Sequence, residues 1–202
     1  MAVATTLNSA VRKVPIWAVY GAGLLPLGWL VWLALNGGLG VEPVETLEHR
    51  LGLLGLQFMI GTLAVTPLRR ATGVNLVKFR RALGLLTFLY IVLHLLVWAL
   101  LDVQTVGAVW ADVVKRPFIT VGMVAFVLMV PLAATSFDRA VRLMGAAAWR
   151  RLHRLTYAAA ILGAGHYVML SKGFQLEPLL YLAAVLGLVA ARIRPPRRLE
   201  SA

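Results

Sequence analysis

Long apolar runs, each close to the length of a membrane crossing, are the feature that most constrains how this chain can fold. A transmembrane helix needs about 20 apolar residues, and the backbone polar groups of a segment in lipid must be paired within that segment. The sequence also has 60% hydrophobic residues, more than an ordinary soluble domain. We therefore predict an all-α integral membrane bundle of six transmembrane helices, forming a single domain over residues 1–202. The runs cover about 16–35, 47–68, 82–101, 117–137, 155–170 and 178–191.

The basic residues are distributed unevenly among the ends of these runs. The net charge is +12, and all but four of the 20 Lys and Arg residues lie at the N-terminal end, in the 69–81 and 138–154 loops or in the C-terminal tail. Because cytoplasmic loops carry an excess of Lys and Arg, both termini are predicted to be cytoplasmic. A high positive charge can also indicate nucleic-acid binding. We do not predict it here, because the basic residues cluster at the ends of apolar runs, where they mark cytoplasmic loops. The four exceptions are Arg50, Lys115, Arg116 and Lys172.

The absence of cysteine restricts the chemistry of any cofactor. Without cysteine, the chain has no disulfides, no iron–sulfur clusters and no covalent attachment of c-type haem, so any haem is held by histidine or methionine. No Gly-rich dinucleotide fingerprint follows a strand, and electrons must therefore come from another protein or from a quinone. No nucleophile–base pair lies in a span, so we predict no catalytic residues. The sequence indicates an electron-transfer subunit rather than a catalytic one.

Two histidines lie deep within separate apolar runs. His94 and His166 each lie about 18–20 Å from the basic end of their helix, at about 1.5 Å per residue. A histidine at that depth is costly unless it has a partner, and it is a candidate functional residue. Their matched depth predicts that both bind one haem iron; the alternative is that each hydrogen-bonds a carbonyl or a serine. His49 is predicted to be an interfacial residue; the alternative is that it joins a docking site or an outer cofactor site.

A second group of candidate cofactor-binding residues lies at the basic end of the bundle. His153 lies at the boundary of the fifth run, where it is either a haem ligand or a solvated interfacial residue. We expect one helix from Trp149 to Leu170 to carry both His153 and His166, and at about 100° per residue their rings would lie about 140° apart on it.

His153 and His166 are thirteen residues apart. A second histidine that paired with His153 would be expected about as far before His94, but Arg80 and Arg81 occupy those positions. Arginine binds propionate or phosphate rather than iron. The sequence thus predicts one fully ligated outer haem, and an inner site for a second haem with an unusual ligand, a flavin or a quinone.

Several short stretches between the first and the fifth run are specific in combination, although each would be weak alone. Through them the chain resembles the haem-binding membrane subunit of the periplasmic protein-methionine-sulfoxide reductase system (the MsrQ/YedZ family), within the ferric-reductase-like transmembrane group. The stretches are Gly23-Leu-Leu-Pro-Leu-Gly-Trp-Leu, Gly38-Leu-Gly-Val-Glu-Pro-Val44, Thr66-Pro-Leu, Arg80-Arg-Ala-Leu-Gly84, the helix of His94, and Trp149-Arg-Arg-Leu-His153 through His166-Tyr.

The resemblance implies a function and a set of cofactors. It implies haem b ligated by histidines that match His94, His153 and His166, and it also implies an FMN. It implies a multi-pass protein of the bacterial inner membrane that takes electrons from the quinone pool or from a cytoplasmic flavin reductase. The implied electron acceptor is a periplasmic molybdopterin methionine-sulfoxide reductase that repairs oxidised envelope proteins.

Two other classes of function are open from the residues alone. The first is a small membrane transporter subunit whose histidines relay protons or metal ions. No Asp or Glu lies within the core of a predicted span, and such relays usually include one. The second is a structural or assembly protein whose histidines only pack. Neither alternative predicts the absorption spectrum of a haem protein.

Overall fold

The computed structural model describes residues 2–171 and 174–193, and the regular structure of this part of the chain is helical. The predicted all-α fold is therefore confirmed. A short 3-10 turn, Val77–Phe79, precedes α4, and a π-helical turn, Trp98–Val103, extends it. The α-helices are α1 Ala2–Lys13, α2 Ile16–Leu35, α3 Pro43–Thr72, α4 Arg80–Val97, α5 Val106–Lys115, α6 Pro117–Ala134, α7 Asp138–Met144, α8 Ala146–Leu152, α9 Leu155–Leu170 and α10 Leu176–Ile193.

Within these described residues, four helical segments are long and apolar enough to cross a membrane. They are Ile16–Leu35, Pro43–Thr72, Val77–Val103 and Pro117–Ala134, and they correspond to the first four predicted runs. The chain is thus a multi-pass membrane protein. The predicted fifth and sixth runs are also helical, as α9 with 16 residues and α10 with 18. Their crossing of the membrane, like the side on which the termini lie, remains a prediction.

The ends of the helices follow local signals in the sequence. Pro43 and Pro117 lie at the first positions of α3 and α6, where a missing backbone N–H costs nothing. Gly73 ends α3 with a left-handed φ of 77°, and its N–H donates to the carbonyl of Arg69. The Thr105 hydroxyl accepts a hydrogen bond from the N–H of Ala108 and so caps α5. The segment between the third and fourth runs therefore contains a short helix.

The structure differs from the sequence-based expectation at the start of the fifth run. The stretch from Trp149 to Leu170 was expected to form one helix carrying both His153 and His166. Instead, α8 ends at Leu152, and a turn at residues 153–154 separates it from α9. The rotation of about 140° expected between the two imidazoles on one straight helix does not apply. Their directions are set separately by the turn and by the packing of α9.

Helix packing builds the bundle from two close pairs. Helix α3 packs along α4, and α6 packs along α9, while α10 lies against both α9 and α3. Small residues on α9, including Ala160 and Ala164, are almost fully buried, and small side chains let neighbouring backbones approach closely. The main cluster of buried apolar side chains also contains Leu63, Met129 and Val185. The two pairs are in contact through α4 with α6 and through α3 with α9.

Polar contacts connect α10 to α3 at both ends of their shared surface. The Gln57 side-chain amide donates to the Tyr181 hydroxyl at 2.8 Å. Near the other end, the Arg192 guanidinium donates to the carbonyls of Leu63 and Thr62 at 3.0 and 2.9 Å. These hydrogen bonds satisfy polar groups on helices that otherwise bury apolar side chains. They also hold α10 in one register against α3.

Candidate functional site

The two deep histidines lie next to each other in the folded chain. His94 on α4 and His166 on α9 have ring centres 6.3 Å apart, and their ring planes are inclined at 72°. Both residues are half-buried. The contacts between the α3–α4 pair and the α6–α9 pair bring these two positions together although they are far apart in the sequence. The structure therefore unites His94 and His166 at one site.

Each of these imidazoles is held by one backbone hydrogen bond. His94 Nδ1 lies 2.9 Å from the carbonyl oxygen of Glu48, and His166 Nδ1 lies 2.7 Å from that of Phe118. A carbonyl oxygen can only accept, so in both neutral rings Nδ1 carries the proton. Nε2 is then left with a free lone pair. A neutral imidazole with one nitrogen donating to a carbonyl and the other unprotonated is the usual form of a metal-binding histidine.

The spacing of the rings fits a metal ion bound between them. Two metal–nitrogen bonds of about 2.0–2.1 Å, with about 1.1 Å from each nitrogen to its ring centre, add up to about 6.3 Å between ring centres. Among residues 2–171 and 174–193, no group of three or more His, Cys, Asp or Glu side chains could hold a metal ion. The described side chains at this site offer two imidazole nitrogens, a number that would suit an iron whose other ligands belong to a porphyrin.

His153 lies in a different environment from the paired histidines. Its Nε2 is 3.1 Å from the Thr135 hydroxyl, and its ring stacks on the Trp149 indole with ring centres 3.8 Å apart. The Trp149 indole N–H in turn donates to the Thr135 carbonyl at 2.9 Å. In His153 it is therefore Nε2, and not Nδ1, that is engaged. The structure does not bring His153 together with His94 and His166.

The two candidate arginines also differ from each other. Arg81 forms an exposed ion pair with Asp138 at 2.6 Å, and this hydrogen bond holds the pKa of the Asp138 carboxyl below its usual range. The Arg80 guanidinium makes no hydrogen bond or ion pair with the described residues. Burial, and after it the positive charge of Arg80, lowers the pKa of His153. Among the described residues, Arg80 is thus a cation without a bonded partner near His153, whereas Arg81 is paired with Asp138.

Sequence reasoning did not find the residues that surround each deep histidine. Gly52 faces the His94 ring and Gly122 faces the His166 ring, each in direct contact with it. A glycine inside an apolar run, at the depth of a histidine on another run, is a signal that could have been used. The accepting carbonyls of Glu48 and Phe118 have no such signal, because every residue has a carbonyl. Only the rotation of the helices determines which one is reached.

Comparisons with known proteins identify the family. Residues 50–164 match the family described as ferric reductase like transmembrane component; the match includes His94 and ends two residues before His166. A protein-methionine-sulfoxide reductase heme-binding subunit MsrQ from Brucella anthropi is 44% identical over 91% of this chain and 84% of its own length. The MsrQ of Brucella ovis is 43% identical over 90% of this chain and 82% of its own length. No solved structure matches. The chain therefore belongs to the ferric-reductase-like transmembrane family, and within it to the MsrQ heme-binding subunits.

Proposed function

We propose that this chain is the haem-binding, electron-transferring membrane subunit of a protein-methionine-sulfoxide reductase system, and that His94 and His166 are the axial ligands of one haem b. The family membership supports the function. The observation that carries the choice of ligands is the pair of imidazoles 6.3 Å apart, each with Nδ1 bonded to a carbonyl. The chain acts as an electron-transfer subunit and leaves the catalytic step to its partner.

The chain's own groups hold and tune such a cofactor. The haem iron, when bound, supplies a one-electron carrier. Hydrogen bonds from Nδ1 to the carbonyls of Glu48 and Phe118 fix the tautomer and the direction of both rings. The same bonds raise the basicity of each imidazole and so favour the ferric state. The apolar bundle around the rings limits access of water, which is one of the means by which a protein sets a haem potential.

We further propose that α9 and α10 are the fifth and sixth crossings of a single domain in a bacterial inner membrane, with both termini in the cytoplasm. A 16-residue helix is about 24 Å long, shorter than a hydrocarbon core of about 30 Å. Local thinning of the bilayer accommodates a mismatch of this size at modest cost. In this orientation His94 and His166 lie toward the periplasm, and His153 and Arg80 lie toward the cytoplasm.

The environment of His153 and Arg80 supports a second, inner site. An uncommitted arginine beside a histidine suits the acidic group of a cofactor, either a propionate of a second haem b or the phosphate of an FMN. His153 becomes an iron ligand there only if its Nε2 leaves the Thr135 hydroxyl. Electrons from the quinone pool or from a cytoplasmic flavin reductase would enter at this end. They would leave at the His94 end to a periplasmic molybdopterin methionine-sulfoxide reductase, which repairs oxidised envelope proteins.

Removal of either proposed ligand tests the outer site. We expect the purified wild-type protein to show a Soret band and sharp α and β bands after reduction, and His94→Ala or His166→Ala to lose most of that absorption. Each substitution removes one of two axial ligands. The comparison variant is His49→Ala, which also tests whether His49 joins the outer site; we expect it to keep its haem, because His49 is exposed and makes no hydrogen bond with the described residues. A folded, colourless wild-type protein, or full haem content in His94→Ala, would contradict the proposal.

The same preparations test the partner. We expect a catalytic methionine-sulfoxide reductase subunit to reoxidise the reduced haem of the wild-type protein when methionine sulfoxide is present. If the haem is present and no such subunit reoxidises it, the assignment to this electron-transfer system fails while the haem site stands. A transporter or an assembly protein would give neither the spectrum nor the reoxidation.

A further inference from the structure

We propose that Gly52 and Gly122 are positioning residues for the two deep imidazoles. Each glycine lets one ring lie directly against the backbone of the neighbouring helix, and this contact holds the ring in the orientation needed for its Nδ1 hydrogen bond. The inference rests on the proposed function, because it concerns how His94 and His166 are presented to a haem iron. It adds two residues that bind neither iron nor substrate.

The space above each glycine is occupied by an imidazole. A Cβ atom at position 52 would lie 3.1 Å from Nδ1, 3.3 Å from Cε1 and 3.5 Å from Cγ of His94. At position 122 the same three atoms of His166 would lie at 2.9, 3.1 and 3.2 Å. The nearest atom in both cases is the nitrogen that donates to the carbonyl. A methyl group at either position would therefore press on the ring where it is anchored.

The two sites are built in the same way. The carbonyl that accepts from the ring belongs to the residue four positions before the glycine, Glu48 for Gly52 and Phe118 for Gly122. Residues four apart lie on one face of a helix, so the carbonyl and the glycine together face the same ring. The sequence separation between carbonyl and histidine is 46 residues at one site and 48 at the other. The α3–α4 and α6–α9 pairs thus have the same arrangement of carbonyl, glycine and imidazole ring.

Some other helical glycines do not have this property. A Cβ added at Gly61 on α3 or at Gly187 on α10 would meet no atom of the described residues within 4 Å. Alanine is preferred to glycine inside a helix because it loses less backbone entropy on folding. If Gly52 and Gly122 were only small residues in helices, alanine would be neutral or stabilising at all four positions. The contact with an anchored ring reverses this expectation at positions 52 and 122.

An added methyl group should change the ligand properties of the histidine. A ring pushed away from the helix lengthens its Nδ1–H···O bond, which lowers the basicity of the imidazole. A less basic ligand stabilises ferric iron less, so the haem reduction potential should become more positive. The ring also rotates, which changes the angle of 72° between the imidazole planes. That angle determines the g anisotropy of the low-spin ferric EPR signal.

The experiment compares Gly52→Ala and Gly122→Ala with Gly61→Ala and Gly187→Ala in the full-length, haem-loaded protein. We expect the first two to shift the potential to more positive values and to change the EPR signal. The larger effect is expected for Gly122→Ala, because the contact there would be shorter. The two control variants should match the wild type in potential and in EPR signal.

The outcomes separate this inference from the proposed function. If the wild type has a low-spin haem with two histidine ligands, but Gly52→Ala and Gly122→Ala leave both readouts unchanged, the positioning role is wrong and the haem site stands. If the wild type has no such haem, the proposed function fails first. Gly52→Ala keeps the test decisive if Gly122→Ala does not fold, because the ring there has to move by only a few tenths of an ångström.

Discussion

The three candidate ligands are all histidines, but they differ in which imidazole nitrogen is engaged. His94 and His166 each donate from Nδ1 to a backbone carbonyl, which leaves Nε2 free to bind a metal. In His153, Nε2 is bonded to the Thr135 hydroxyl and the ring stacks on Trp149. An outer haem therefore needs no change of side-chain hydrogen bonding, whereas ligation by His153 does. For this reason the outer site is the better supported of the two.

The difference between the two arginines gives a prediction at the scale of single residues. We expect Arg80→Gln to weaken the binding of an inner cofactor by about tenfold or more, because a hydrogen bond to a charged group contributes about 1.5–3 kcal/mol. Arg81→Gln is the matched control and should have little effect, since Arg81 is paired with Asp138 at the surface. Haem and flavin contents per protein are the measurements. Equal losses in the two variants would contradict the inner site.

Helix pairs, rather than single helices, are the units from which the candidate site is made. Each histidine lies on one helix of a pair, and its carbonyl and glycine lie on the other, so neither α4 nor α9 can present a ligand alone. Helix α10 lies outside both pairs and contacts α9 and α3. In the described part of the chain, no hydrogen bond or ring contact joins α10 to His94 or His166. Its polar contacts with α3 instead fix the position of the sixth predicted crossing.

A double-mutant cycle measures one of these contacts between helices. Gln57→Leu and Tyr181→Phe each remove one partner of the 2.8 Å hydrogen bond between α3 and α10. We expect a coupling free energy of about 0.6 kcal/mol, the average for such bonds between transmembrane helices. The measurement is the free energy of unfolding in mixed micelles for the wild type, both single variants and the double variant. Additive effects would show that the two side chains do not interact.

For the whole molecule, the distribution of charge determines the predicted orientation. The 69–81 and 138–154 loops are rich in Lys and Arg, whereas the segments around Val41 and Val106 are not. The basic loops lie at the ends of helices nearest Arg80 and His153, and the other segments lie nearer His94 and His166. The positive-inside rule then places the two candidate sites at opposite sides of the bilayer. This separation is what a transmembrane electron carrier requires.

Single cysteines test this orientation, because the chain has none of its own. In intact cells with a permeabilised outer membrane, we expect a membrane-impermeant maleimide to label Val41→Cys and Val106→Cys, whose native side chains are 94% and 88% exposed. Leu143→Cys, where the native side chain is 75% exposed, should react only after lysis. The cysteine-free parent is the control for background. Labelling of Leu143→Cys in intact cells would reverse the topology.

The all-α fold class, the four apolar segments long enough to cross a membrane, and the candidate histidines and arginines all follow from local properties of the chain. Hydropathy, charge and the absence of cysteine are properties of the chain that do not depend on how its helices are turned. Family membership was also recognisable from these residues, because the resembling stretches run through most of the chain. The start of α6 at Pro117 and the end of α3 at Gly73 are also local, because each depends on the backbone preference of one residue.

The way in which the histidines are presented depends instead on how the helices pack. The approach of His94 to His166 depends on the pairing of four helices, and residue spacing along one helix does not specify that pairing. The turn at residues 153–154 separates His153 from the axis of α9, so no phase calculation on a straight helix could place it. The roles of Gly52 and Gly122 likewise appear only when a ring from another helix lies against them. Contacts between helices depend on rotation and depth together, and the packed bundle is what sets both.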